Sequence, residues 1–171
     1  GGGGTTWAST YQDVFRTLNE LGSFVTVTDG IIFHNTLASS DYGYLSHTAF
    51  NPRPNYFAVV LWNRIMGNTV YDAAEPIREG AHVYAHSRAD GKPGAAYLVI
   101  NNSKTDATTV TLPKAAEVYQ LSAESLRAGT MLCNGKPLVL GEGNTLPDMS
   151  PAAAAAGELV LPAATCTFIV L

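Results

Sequence analysis

Between Ile31-Ile32-Phe33 and Leu45 the chain gathers His34, Asn35, Ser39, Ser40, Asp41, Tyr42 and Tyr44. Hydroxyls, amides and one carboxylate packed behind a short apolar run are what an α/β barrel uses to hold a substrate at the C-terminal ends of its strands. The same residue types also build turns and pack through their rings, and composition leaves both uses open. A second cluster is Gly1-Gly2-Gly3-Gly4, just ahead of a helical pattern. Glycine lets backbone amides approach an anion closely, and a helix N-terminus attracts negative charge. A carboxylate or phosphate could dock there, although a glycine run is also what a flexible tail looks like.

Other chemistry is thinner. Glycoside hydrolysis commonly needs two carboxyl groups flanking the bond, and Asp41 is the one carboxylate of 14 that falls in the candidate loop. This stretch alone assembles no such pair. His47 lies farther along the loop and is expected in solvent. His82 and His86 stand four apart in an alternating strand and share a face, too few for a metal site and expected as surface or packing residues. Cys133 and Cys166 sit in apolar, strand-like contexts without a CxxC spacing. They are expected as small core residues, with one disulfide as the alternative. No nucleophile-elbow serine, HExxH or P-loop pattern occurs, and no metal or cofactor is called for.

The elements that must position these groups change character near Gly67. Before it, Ser9-Thr10-Tyr11-Gln12 fits a capping box, followed by Tyr11, Val14, Phe15, Leu18 and Leu21 at helical spacing and Gly22 as a C-terminal cap. Ile31-Phe33 is expected as a buried strand. Pro52-Arg53-Pro54-Asn55 announces a second helix with Asn55 at its N-cap, apolar over most of its circumference to Met66 and closed by Gly67. Helix, strand, long loop, helix is the order of a parallel α/β sheet or barrel. A single strand cannot pair with itself, so residues 1–67 are expected to close a larger barrel whose other strands lie elsewhere.

After residue 68 come short alternating runs separated by Gly, Pro, Asn and Asp. Strands are expected over 81–87, 95–101, 107–112, 117–122, 130–133, 137–140, 158–161 and 165–171, with Asp90-Gly91-Lys92-Pro93-Gly94 as a hairpin turn. Eight short strands suggest an antiparallel β-sandwich over 68–171. The alanine tract 152–156 lacks amphipathic pattern and is expected as a loop or one loose turn.

Composition bounds the partners. The chain has 171 residues with 10 Lys+Arg against 14 Asp+Glu, a net charge of −4, and 46% hydrophobic residues. Charged residues make up 14%, against the roughly 25% of an average globular protein, so part of the surface is expected to face other protein. The basic residues form no cluster able to neutralise several phosphates, which argues against nucleic acid. No apolar run approaches the roughly 18 residues of a membrane span, and the glycine-threonine start is no signal peptide.

Several stretches together resemble the C-terminal part of heparanase-like enzymes, family 79 of the glycoside hydrolases, in its bacterial and plant form. They are Trp7-Ala8-Ser9-Thr10-Tyr11, Phe15 to Gly22, His34 to Gly43, Phe50-Asn51-Pro52-Arg53-Pro54-Asn55-Tyr56-Phe57 running into Leu61 to Gly67, Val83 to His86, Leu98 to Asn102, Leu132 to Lys136 and Phe168 to Leu171. The resemblance implies the closing helix-strand-helix portion of a (β/α)8 barrel at 1–67, a β-sandwich at 68–171, and retaining hydrolysis of β-linked uronic-acid glycans. It also implies that the acid/base and nucleophile glutamates lie upstream of Gly1, so that no catalytic residue is assigned here. Gly2 and Gly3 match the glycine-rich loop whose amides bind the substrate's uronate carboxylate, and Tyr42 matches the tyrosine that assists that contact. The implied partners are a uronic-acid-containing glycan and the N-terminal barrel portion of the same protein, in cis or as a processed chain. A secreted or periplasmic location accords with the family. The alternative from another class is a non-catalytic carbohydrate-binding or accessory module.

Overall fold

A computed structural model of the chain describes residues 6–73 and 81–171. Two helices come first. Helix α1 spans Gln12–Phe24 and α2 spans Pro54–Ile65. Helix α1 buries Val14, Leu18 and Gly22 along one stripe, with Tyr11 extending it by one turn, the spacing expected of an amphipathic helix. Its start departs from the capping box. Tyr11 occupies the N-cap in helical conformation with no side-chain cap. The amides of Tyr11 and Gln12 instead donate to the carbonyls of Ala128 and Leu126, each at 2.9 Å. Tertiary contact thus satisfies donors that a serine cap would otherwise take.

Gly22 is likewise no C-cap. It lies inside α1, where a Cβ would meet the Tyr84 ring at 2.5 Å, so the position is set by close packing. In α2 Pro54 takes the first helical position, as its missing N–H allows, and the N-cap is Arg53. Asn55, expected at that cap, is buried two residues farther in.

Helix α2 runs directly into strand β1, Met66–Tyr71. Nine further strands are present among the described residues. They are β2 (Ala81–Arg88), β3 (Ala95–Asn101), β4 (Thr108–Leu112), β5 (Ala116–Ser122), β6 (Leu132–Cys133), β7 (Lys136–Pro137), β8 (Ala152–Ala154), β9 (Gly157–Leu161) and β10 (Thr165–Val170). Strands β1, β2, β3, β10, β5, β6 and β7 form one sheet in that order, with β8 added on β5, while β4 and β9 pair separately. Every pairing is antiparallel. The β2–β3 turn carries Gly91 and Gly94 at φ 72° and 124°, as its glycines foretell. The alanine tract is strand β8 rather than a loop, because β5 has a free edge for residues 152–154 to pair with.

The arrangement is therefore less symmetric than a sandwich of eight strands. The two helices cover one face of the large sheet, burying Tyr84, Leu98, Ile100, Cys166 and Phe168 with Val14, Leu18, Phe57 and Leu61. The β4–β9 ribbon covers the opposite face over Val99 and Ile169. Alternation along β3 and β10 supplies both faces at once, as a strand buried on two sides must.

The expected strand at 31–33 is not formed. Ile31, Ile32 and Phe33 are irregular backbone and 82%, 41% and 83% exposed. Among the described residues no strand pairs with this apolar run and nothing buries it. Phe24, Val27 and Leu37 are exposed beside it in sequence.

Candidate functional site

Residues 40–44 are held by groups from the start of α2. The amide of Gly43 donates to the Ser40 carbonyl at 3.2 Å, closing a turn with Asp41 and Tyr42 at its centre. Arg53 Nη1 donates to the carbonyls of Ser40, Asp41 and Gly43 at 2.8, 2.7 and 3.0 Å. The Tyr42 carbonyl accepts from His34 Nε2 at 3.0 Å and Asn55 Nδ2 at 3.4 Å. The Tyr44 carbonyl accepts from the Arg53 amide at 2.9 Å. All five successive carbonyls are thus engaged, which irregular backbone rarely achieves without side-chain help.

Arg53 reaches this position because residues 45–52 double back. Leu45 and Pro52 form an isolated bridge, and Ser46 and Asn51 exchange hydrogen bonds through the Asn51 carbonyl and the Ser46 hydroxyl. Gly43 permits the close approach: a Cβ there would lie 3.0 Å from the Leu37 carbonyl oxygen. His34 stacks on Tyr44 with ring centroids 4.1 Å apart and meets Tyr42 edge-on at 6.0 Å. Since His34 Nε2 gives its hydrogen to a carbonyl, the ring's tautomer is fixed whenever it is neutral.

Beneath the turn lies a buried ionic cluster. Asp13, in the first turn of α1, has a side chain with no exposure. It accepts two hydrogen bonds from Arg16, at 2.7 and 3.0 Å, one from Thr17 at 3.3 Å and one from Asn55 Nδ2 at 2.9 Å. Arg16 also reaches Glu20 at 2.6 Å. Burial works against the Arg16 charge, but the hydrogen bonds and charges of Asp13 and Glu20 outweigh it and raise the guanidinium pKa. Asp13 thus ties α1 to α2 through Asn55, and Asn55 carries the tie on to Tyr42. Its Oδ1 has no donor among the described residues.

The candidate residues distribute unevenly around this scaffold. Tyr42 is half-buried, and its hydroxyl makes no hydrogen bond among the described residues. Gly2 and Gly3 lie outside the described residues. Asp41 is exposed, 3.7 Å from the exposed His47. Burial raises the Tyr44 hydroxyl pKa. His82 and His86 are buried in β2, far along the chain from this loop. His86 packs edge-on against Trp62 and hydrogen-bonds the Gly67 carbonyl at 2.8 Å, and burial lowers its pKa. Cys133 and Cys166 are free and buried in the core, burial pushing the Cys133 thiol up to about 11 and the Cys166 thiol higher still. Among the described residues no three His, Cys, Asp or Glu side chains gather as metal ligands, and no helix is long and apolar enough to cross a membrane.

The parts that Arg53, Asn55 and Asp13 play in holding this loop escaped the sequence reading, which placed Arg53 and Asn55 only at the start of a helix. A signal existed for two of them. Asp13 and Thr17 stand a turn apart beside the apolar stripe of α1, and Arg53 is locked between two prolines, which restrict its backbone to extended conformation.

Comparison with known proteins gives this scaffold a context. Over 130 residues, 76% of the chain, it is 32% identical to heparanase-like protein 1 of Arabidopsis thaliana. Its relatives are heparanase-like proteins. Baicalin-beta-D-glucuronidase of Scutellaria baicalensis is 26% identical over 84% of the chain, and the human protein named inactive heparanase-2 is 26% identical over 99%. The chain spans 24%, 28% and 33% of these heparanase-like relatives' lengths. No protein-family model matches it. In fold it is similar to the GH51 alpha-L-arabinofuranosidase of Thermotoga petrophila, with a TM-score of 0.67 at 17% identity, covering 95% of this chain and 38% of that one. The chain thus matches a portion of larger proteins in sequence and in fold, with two helices leading into an antiparallel sheet.

Proposed function

We propose that these residues are part of a retaining glycoside hydrolase of the family 79 type acting on β-linked uronic-acid glycans, in which they bind the substrate carboxylate and support the barrel. The observation that carries the reading is Tyr42: a hydroxyl without a partner among the described residues, on a turn whose every carbonyl is pinned. That is the form a preorganised substrate contact takes. A phenol O–H can donate to a carboxylate, and hydrogen bonds to charged groups are worth about 1.5–3 kcal/mol. Among the relatives, one is named as a β-D-glucuronidase. Gly2 and Gly3 are proposed to add backbone amides to the same anion site.

In this reading residues 1–67 close a (β/α)8 barrel and residues 68–171 form the β-domain beside it. The two glutamates of the retaining mechanism lie outside these 171 residues, one attacking the anomeric carbon and the other protonating the leaving oxygen, then reversing its role in deglycosylation. The exposed Ile31-Ile32-Phe33 supports this, since an apolar run of that kind awaits a strand from the rest of the barrel.

A second reading has its own support. A relative named as inactive aligns over 99% of the chain, which accords with a glycan-binding module that performs no hydrolysis. The two part on one set of assays. The chain alone is expected to bind glucuronate weakly and to leave an aryl β-glucuronide intact. On joining it to the remaining barrel, turnover sensitive to Tyr42→Phe is expected. Turnover by the chain alone, or binding that survives deletion of residues 1–67, would overturn the first reading.

A further inference from the structure

Resting on that assignment of Tyr42, we propose that Arg53 is the positioning residue that gives the site its preference for acidic over neutral sugars. Arg53 does so by fixing the 40–43 turn, with Asn55 and Asp13 as its inner support. The guanidinium of Arg53 is committed to three carbonyls on both sides of Tyr42. Its own amide takes a fourth. A planar fork loses little further freedom on making such contacts and holds their geometry closely. The Tyr42 carbonyl, the remaining one, is held by His34 and by Asn55, and Asn55 is in turn held by a fully buried carboxylate.

Tyr42 therefore has its backbone fixed from both sides and its hydroxyl left over. Without the Arg53 guanidinium the carbonyls of Asp41 and Gly43 lose their donor and that of Ser40 keeps only the Gly43 amide, so the turn loosens and the phenol samples many directions instead of one. The consequence is selective. A contact made only by the sugar carboxylate is lost, while contacts shared with a neutral sugar stay. This separates positioning from general loop damage, and also from a direct attraction between the Arg53 charge and the ligand, which a lysine would preserve.

The test titrates the 171-residue chain with methyl β-D-glucuronide and, in parallel, methyl β-D-glucoside, using wild type, Tyr42→Phe, Arg53→Gln, Arg53→Lys and the Tyr42→Phe/Arg53→Gln double variant. Amide hydrogen exchange at Gly43 and Leu45 is followed in each. Arg53→Gln is expected to weaken the glucuronide about tenfold, the loss of one hydrogen bond to a charged group, and to leave the glucoside unchanged. The double variant is expected to be no weaker than Tyr42→Phe alone. Faster exchange at Gly43 and Leu45 is expected in both Arg53 variants, with Arg53→Lys serving where Arg53→Gln fails to fold. Additive losses in the double variant, equal weakening of both sugars, or full affinity in Arg53→Lys would each overturn the proposal. Should Tyr42→Phe leave glucuronide binding untouched, the reading of Tyr42 fails. The positioning claim would then stand or fall by exchange in the turn, and unchanged exchange in both Arg53 variants refutes it.

Discussion

Substituting Gly22 by alanine sets two forces of opposite sign against each other. In an exposed helix interior the change is favourable by up to about 1 kcal/mol, because glycine is the costlier residue to order. Here the added Cβ would lie 2.5 Å from three carbons of the Tyr84 ring. That ring cannot easily give way. It is buried, and its hydroxyl donates to Asn19 Oδ1 at 2.6 Å and lies 3.0 Å from the Ser23 hydroxyl, both on α1 itself. Overpacking a well-filled core costs about 1–3 kcal/mol, so the net expectation is a loss of about 1–2 kcal/mol. For a chain of this size that lowers Tm by roughly 2–8 °C. Urea denaturation of both proteins, compared at equal m-value, measures it directly. The same substitution made together with Tyr84→Leu should cost less than in the wild-type background, since the clashing ring is gone and the two sites are coupled. A higher midpoint for Gly22→Ala than for wild type would refute the close helix–sheet contact on which this part of the fold is built.

Tyr11→Phe removes a buried hydroxyl that hydrogen-bonds the carbonyls of Leu121 and Ala164 at 2.8 and 3.0 Å. It should cost about 1–3 kcal/mol of stability by chemical denaturation, because both acceptors stay buried. His86 titrates below its ordinary value of 6.5 through burial, so the unfolded chain binds a proton that the folded one refuses. Stability is therefore expected to fall as pH drops through 6.5 toward the folded pKa, and the slope of urea midpoint against pH, followed from about pH 7.5 down to about pH 5, should be partly lost in His86→Gln. Neither Cys133 nor Cys166 should react with a thiol reagent in the native state, as burial keeps both protonated and out of reach. Mass spectrometry should find labelling only under conditions that unfold the chain. An Asp13→Asn variant keeps the shape but not the charge opposite Arg16, and lower thermal stability is expected, since among the described residues Arg16 would retain only Glu20 as an ionic partner.

The sheet's central strands were legible because β2, β3, β5 and β10 carry their own alternation or continuous apolar runs, and the glycines at 91 and 94 mark the turn between two of them. Both helices were legible from the 3.6-residue period. What the sequence could not display were features decided by contact across the fold. Ser9 and Asn55 have ideal capping chemistry, yet the α1 amides find carbonyls at 126 and 128, and Asn55 is drawn inward by Asp13, 42 positions away. Three alanines have no preference strong enough to announce β8, whose existence depends on the edge of β5. Ile31-Phe33 has strand-like residues without a strand to pair with. In the candidate site the loop itself could be seen, from its density of polar and aromatic groups. Two of its anchors left a trace in the sequence but not their targets, because an arginine between prolines gives no hint of which carbonyls it will meet.

Strand β10 sits between β3 and β5 in the large sheet, although it follows every other strand in sequence. On the ribosome the two halves of that sheet must therefore wait for residues 165–170 before either can be sealed. Until then Leu98 and Ile100 on one side, and Val118 and Leu121 on the other, line an open seam. A nascent chain of this design stays exposed to chaperones, and to mispairing with its neighbours, until residues 165–170 have emerged.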